Sequence, residues 1–354
     1  METTDDKEQM LDLIVYITSS GPNTSDSRYW ANLFECLISL SDSLKDNNYK
    51  FYIVVNNQEY EEFVKKLFND KKFRPFINQD ALLEVVNSTK TWTECYTDFF
   101  EKYNTTAEYL LISHDDILIK HRGFFNETLR LLEDKTEPVG WITFTNVKHY
   151  LYPATKNPIS NSVKNPFAND RLNHPCLYEC HKLKMGQQVK IDDEQYNKLM
   201  SFSVNKSYDK NLVWAKEANL DFPEAPVKVF GPYSHLNLIK FETAKKIGPP
   251  SNWSEYTIFM DDDWSMASLV KNYNNIWIPN IHYVHPNPRY TSLRKPGTDL
   301  RYVEETAKKF QQKWGFNPDG ELSDEELESM TLKYSGTHVE TVMNKNTYDW
   351  NYLK

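Results

Sequence analysis

Cysteine is scarce in this chain of 354 residues, where only Cys36, Cys95, Cys176 and Cys180 occur. Four thiols so scattered are too few for the disulfide framework of a small secreted domain. Long apolar runs are missing as well: no stretch approaches the roughly 18 apolar residues of a membrane-spanning helix, so no segment is expected to cross a bilayer. The first ten residues, METTDDKEQM, are acidic and lack the basic start of a secretory leader. Basic charge is in deficit too, with 41 Lys and Arg against 50 Asp and Glu and a net charge of −9. That sign argues against nucleic acid as a partner and against a polybasic grip on anionic lipid. No internal repeat is found. These absences together lead to the expectation of a cytoplasmic protein.

What is present is enough apolar material for a core, with hydrophobic residues at 40% and charged residues at 26%. The length suits one large α/β domain with appendages, or two domains. Aromatic residues reach 14%, with 22 Tyr, 19 Phe and 9 Trp. Rings of that abundance suit a sugar-binding groove, but they fill cores equally well.

Short apolar runs alternate with amphipathic ones. LDLIVYIT (11–18), FYIVVNN (51–57), ALLEVVN (81–87) and YLLISHDD (109–116) read as buried strands bounded by turn residues. Between them, 28–44, 59–68 and 92–103 carry apolar residues at helical spacing. This alternation predicts parallel strands with crossover helices, a doubly wound sheet. Ligands of such sheets bind beyond the carboxyl ends of the strands, so Thr18–Ser20, Asn56–Asn57 and His114–Asp116 are expected to share one crevice. A further strand, 139–146, precedes a stretch from about 150 to 230 that is rich in Pro, Asn and Lys and weakly periodic. Order returns with a strand and helix over 228–248, acid running into a helix over 258–270, a last strand over 276–286, and helical patterns at 301–314 and 322–334.

Three clusters can carry chemistry. Ser113-His114-Asp115-Asp116 ends an apolar strand. Adjacent carboxylates repel unless a cation or donors offset them, and Mg²⁺ or Mn²⁺ takes one or two carboxylates together with phosphate oxygens. The plainer reading is an N-cap for a helix starting near Ile117. Asp261-Asp262-Asp263 starts a helix, where the macrodipole alone favours acid, but a carboxylate among Ile258, Phe259, Met260 and Trp264 can also act as a general base. His282-x-x-His285 follows the last strand. A fourth group, His174-Pro-Cys176-x-x-x-Cys180-His181, suggests zinc, yet four ligands in so short a segment strain a tetrahedral site, and ordinary loop or acceptor contacts account for it better.

The order of these pieces resembles the inverting nucleotide-sugar glycosyltransferases of the glycosyltransferase A fold, the family-2-like group. The resemblance rests on Cys36-Leu37-Ile38-Ser39-Leu40, LLISHDDILI (110–119), Gly231 to Gly248, MDDDWSMASL (260–269) and IWIPNIHYVHP (276–286), and covers roughly 11–149 and 228–290. It implies a mostly parallel sheet flanked by helices. Residues 1–149 would form the nucleotide-sugar half, 150–227 an insertion, 228–290 the acceptor half and 291–354 a helical extension. It also implies transfer of a hexosyl or pentosyl group from a nucleoside-diphosphate sugar to a glycan or other hydroxyl acceptor, assisted by Mn²⁺ or Mg²⁺. In that scheme Asp116 and His285 serve the metal, Thr18, Ser19, Asn56 and Asp115 serve the donor, and Asp261 or Asp262 is the base. The sequence departs from the pattern at His114, which stands where the motif's first acid is expected and can itself ligate a transition metal, and at Asn56 or Asn57, where an aspartate is usual. A sugar-nucleotide nucleotidyltransferase is the enzymatic alternative, but SSGPNTSDSR (19–28) is poor in the Gly and Lys/Arg of a triphosphate loop. A carbohydrate-binding protein that has lost its chemistry is the other, but it predicts decay of one acidic cluster, and both are present.

Overall fold

The computed structural model describes residues 10–19, 27–103, 106–119, 121–133, 135–146, 226–229, 235–253, 259–284, 298–316 and 324–340. The chain begins with β1 (Leu11–Ser19), α1 (Ser27–Ser43), β2 (Tyr49–Val55), α2 (Gln58–Asn69), β3 (Leu82–Asn87), α3 (Trp92–Lys102) and β4 (Ala107–His114). It continues with β5 (Leu118–Ile119), α4 (Phe124–Leu132), β6 (Val139–Asn146), β7 (Val227–Val229), β8 (Leu236–Lys240) and α5 (Phe241–Ile247). The last described elements are α6 (Met260–Val270), β9 (Asn274–Val284), α7 (Thr298–Trp314) and α8 (Asp324–Lys333).

Local chemistry starts several of these helices. Asn57 caps α2 by accepting from the Tyr60 amide. Thr91 and Glu94 form a reciprocal capping box on α3, which satisfies two otherwise orphaned donors.

Among the described residues, nine strands join one sheet in the order β3-β2-β1-β4-β8-β6-β9-β5, with β7 also paired to β9. The strands β3, β2, β1 and β4 are parallel. β8 runs antiparallel to both β4 and β6, so β6 regains the common direction, and β9 follows it in parallel. The sheet is therefore mostly parallel in sense, with β5, β7 and β8 reversed. The single strand expected ahead of the helix within 228–248 is in fact two, β7 and β8, which pair with different neighbours. Apolar content shows that a segment is buried, but not which strands it pairs with.

Both faces of the sheet are covered. Leu13, Val15 and Ile17 of β1 pack with α1, α2 and α4 on one side. Ile14 and Tyr16 pack with α3, α5 and α6 on the other. The period-two alternation of a strand puts successive side chains on opposite faces, which is why the middle of β1, Leu13 to Ile17, is apolar without a break. A third cluster joins Met266 and Leu269 of α6 to Phe310 and Trp314 of α7 and Met330 of α8. The expected helical extension thus packs on the helix that begins with the three aspartates. Among the described residues no helix is long and apolar enough to cross a membrane.

Candidate active site at the strand ends

Because β1, β2 and β4 are parallel and in register, their carboxyl ends meet. Thr18 stands opposite His114, and Ser19 opposite Val55, the residue before Asn56. Of the expected crevice residues, Thr18, Ser19, Asn56, Asn57 and His114–Asp116 are therefore neighbours, while Ser20 lies outside the described residues. The Ser19 hydroxyl is hydrogen-bonded to the Asp115 carboxylate and lies 2.7 Å from the Tyr60 hydroxyl. Asn57 accepts from the Tyr60 amide at 2.8 Å and donates to the Asn56 side-chain oxygen at 3.2 Å. Thr18 is half-buried beside this group.

Asp115 and Asp116 occupy a turn between β4 and β5, and the next helix begins only at Phe124. No helix starts near Ile117, so the N-cap reading of this acid is overturned. Ile117, Leu118 and Ile119 are buried, and their apolarity draws the chain back onto the sheet instead of into a helix. Asp116 is itself only 7% exposed. The acid makes its field felt in the protein. The Cys36 thiol is pushed well up, by burial first and then by the charges of Asp115 and Asp116. The Tyr60 hydroxyl is pushed up by burial and then by Asp115. The Cys36 thiol donates to the His114 carbonyl at 3.4 Å, which ties α1 to the acidic turn.

The structure adds His235, which precedes β8. Its carbonyl accepts from the His114 amide at 2.9 Å, and its ring meets that of His114 edge-on at 4.8 Å. A residue before an antiparallel strand begins on the edge where parallel strands end, but the sequence carried no sign that this strand is reversed. Tyr60 was also missed. Its place one turn after a strand-end amide was the available signal.

The last strand comes back to the same place. β5 pairs with β9 so that Leu118 stands opposite Val284, and Leu118 is two residues beyond Asp116. His285, the residue after Val284, lies outside the described residues, as does the group from His174 to His181. His282 is half-buried on β9, with its backbone opposite Thr145.

The three aspartates of α6 have different surroundings. Asp263 accepts from the Ser251 amide at 2.6 Å, and from the Lys313 ammonium and the Trp314 indole at 2.7 Å each. It is 1% exposed and fastens α7 to the start of α6. Asp262 is equally buried, and Asp261 is half-buried. Trp264 packs on Trp141 of β6 at 4.4 Å and on Trp92, the first residue of α3, at 4.9 Å. Since α6 leads through a short turn into β9, it runs opposite to that strand, and its acidic start faces the end of the sheet where the parallel strands finish.

Among the described residues no group of three or more His, Cys, Asp and Glu is gathered as for a metal held by protein alone. Asp115 and Asp116 offer hard carboxylate oxygens in a negative field, which fits an ion such as Mg²⁺ or Mn²⁺ that takes one or two carboxylates and fills its shell with phosphate and water.

Neither a protein-family model nor a curated protein sequence matches this chain. Among solved structures it is similar to mannosyltransferase PcManGT from Pyrobaculum calidifontis, in complex with GDP-Man and Mn²⁺. The identity is 12% and the TM-score 0.40, over 97% of this chain and 88% of that one. It is also similar to GalNAc-T7 with UDP, GalNAc and Mn²⁺, at 10% identity and a TM-score of 0.47 over 98% of this chain, which spans 58% of that protein's length. The likeness concerns the course of the chain alone. The fold class implied by the family resemblance, a mostly parallel sheet flanked by helices, is the one observed.

Proposed function

We propose that this protein is a glycosyltransferase that moves a hexosyl or pentosyl group from a nucleoside-diphosphate sugar to a hydroxyl of a glycan or other acceptor. The observation that carries this reading is the adjacent pair Asp115 and Asp116 at the joined ends of β1, β2 and β4, with Ser19 bonded to the first. That edge of a parallel sheet is where nucleotides bind, and paired carboxylates there suit a cation on a diphosphate.

In this reading Thr18, Ser19 and Asn56 line the donor pocket and Asp115 lies near the ribose and diphosphate. Asp116 would hold the divalent ion, with His285 and His114 as further ligands. When bound, that ion offsets charge on the departing nucleoside diphosphate. Asp261 or Asp262 takes the proton of the acceptor hydroxyl as it attacks the anomeric carbon from the face opposite the leaving group, so the configuration inverts. Asp263 is left out because its oxygens already serve α7 and Ser251.

The test is a screen of nucleotide sugars for hydrolysis with and without Mn²⁺, since transferases slowly pass sugar to water. One donor should be consumed in a metal-dependent way. Asp116→Ala should lower calorimetric affinity for the matching nucleoside diphosphate in Mn²⁺ to the level seen without metal. Unchanged affinity would remove Asp116 from the metal site.

A further inference from the structure

The Ser19 hydroxyl carries one proton and has two close partners, the Asp115 carboxylate and the Tyr60 hydroxyl at 2.7 Å. A hydrogen bond to an ionised acceptor is roughly twice as strong as a neutral one, so the Ser19 proton goes to Asp115. Tyr60 must then donate to the Ser19 oxygen. Neither hydroxyl has bulk water beside it, since Tyr60 is fully buried and Ser19 is 3% exposed. The order of donation is therefore set within the protein: Tyr60 to Ser19, and Ser19 to Asp115.

The relay has a firm base. The Tyr60 amide is held by Asn57 in the first turn of α2, Asn57 also bonds Asn56, and the Tyr60 ring stacks on Phe63 at 6.1 Å within the core. We propose that Tyr60 is a positioning residue for Asp115, acting through Ser19 to fix one carboxylate of the adjacent pair in the orientation that receives a metal–diphosphate. This rests on reading the strand-end acid as a nucleotide site. The physical need is plain: neighbouring carboxylates repel, and a site that must orient them each time a ligand arrives loses affinity. Fixing Asp115 through hydrogen bonds donated along two buried hydroxyls, each keeping its own proton, removes that cost before the ligand binds.

The experiment measures calorimetric affinity for UDP and GDP in Mn²⁺ with the full chain and with Tyr60→Phe, Ser19→Ala and the double variant. Tyr60→Phe should weaken the nucleotide that the wild type binds by about five- to tenfold, the scale of one buried hydrogen bond. Ser19→Ala should weaken it at least as much, and Tyr60→Phe should add nothing in that background, because the hydroxyl that links Tyr60 to Asp115 has gone. A merely structural role for Tyr60 would shift the melting temperature, leave affinity alone and add to the serine variant. Ser19→Thr, which keeps the hydroxyl, should retain affinity where Ser19→Ala loses it, so the relay is tested even if Tyr60→Phe does not fold. Wild-type binding with equal affinity in Tyr60→Phe, or additive losses, overturns the relay alone. A wild-type protein that binds neither diphosphate overturns the nucleotide reading, and the relay's role falls with it.

Discussion

Gly140 stands where β6 passes beneath the end of α6, and a Cβ there would lie 2.2 Å from the Ser268 hydroxyl and 2.9 Å from the Asn275 amide oxygen. Both neighbours are buried, and Asn275 also accepts from the Trp141 amide, so neither can move away freely. Gly140→Ala should therefore destabilise the fold by about 1–3 kcal/mol, the usual cost of overpacking, measured as a shift in denaturant midpoint. Ser268→Ala removes the nearest atom and should restore part of that loss in the double variant. This glycine was not singled out from the sequence. Its importance arises from a helix 128 residues away (268 − 140 = 128), which no local pattern encodes.

At the scale of the element, the three aspartates of α6 differ in their surroundings, and under the proposed function in their roles. Asp263→Ala removes an acceptor from one backbone amide, one ammonium and one indole. It should cost about 3 kcal/mol and loosen α7, seen as a lowered melting temperature and faster proteolysis near Trp314. Of Asp261→Asn and Asp262→Asn, one should lose transfer by about 10²–10⁴-fold, the range for general-base assistance, while keeping nucleotide affinity. If both retain turnover, the acidic run serves only as a helix start. Phe259, just before α6, has a φ of +57°, which is unfavourable for a bulky residue. Its ring lies 6.2 Å from that of Phe310 on α7, so the same extension that fastens Asp263 also packs against this strained turn. Sequence spacing placed the helix and its acid, and the family resemblance offered Asp261 or Asp262 as the base. The contacts from α7, some 50 residues on, give the third aspartate, Asp263, a structural partner that the sequence pattern did not show.

Across the whole molecule, tyrosines buried on both faces of the sheet make stability sensitive to alkali. Tyr16, Tyr52, Tyr60, Tyr96 and Tyr109 all hold their protons more tightly than the ordinary value of 10.0, in each case chiefly through burial. Tyr109 is raised to about 12. A folded-state pKa above the unfolded one stabilises the fold fully below the unfolded value, and the stabilisation is lost as pH rises through the folded value. The protein should thus be insensitive to these groups up to about pH 10 and lose stability steadily above it, with the part due to Tyr109 gone by about pH 12 and the rest lost only at higher pH. Tyrosinate absorbance followed alongside circular dichroism checks this. Ionisation of these residues should coincide with unfolding, and independent titration near pH 10 would contradict their burial.

The strand–helix alternation, the apolar strands, the caps at Asn57 and Thr91 and the acid at both candidate sites were all determined by the sequence, because each depends on neighbours within a few residues. Tertiary structure alone decided that Asp115 and Asp116 form a turn and not a cap, since that follows from Leu118 pairing with Val284 on a distant strand. It likewise decided the reversal of β8, the meeting of His114 with His235, and the contact of Ser19 with both Tyr60 and Asp115. Periodicity reports which side of an element is buried. Which remote side chain occupies the other half of a contact is set only when the sheet assembles and brings its strand ends to one edge.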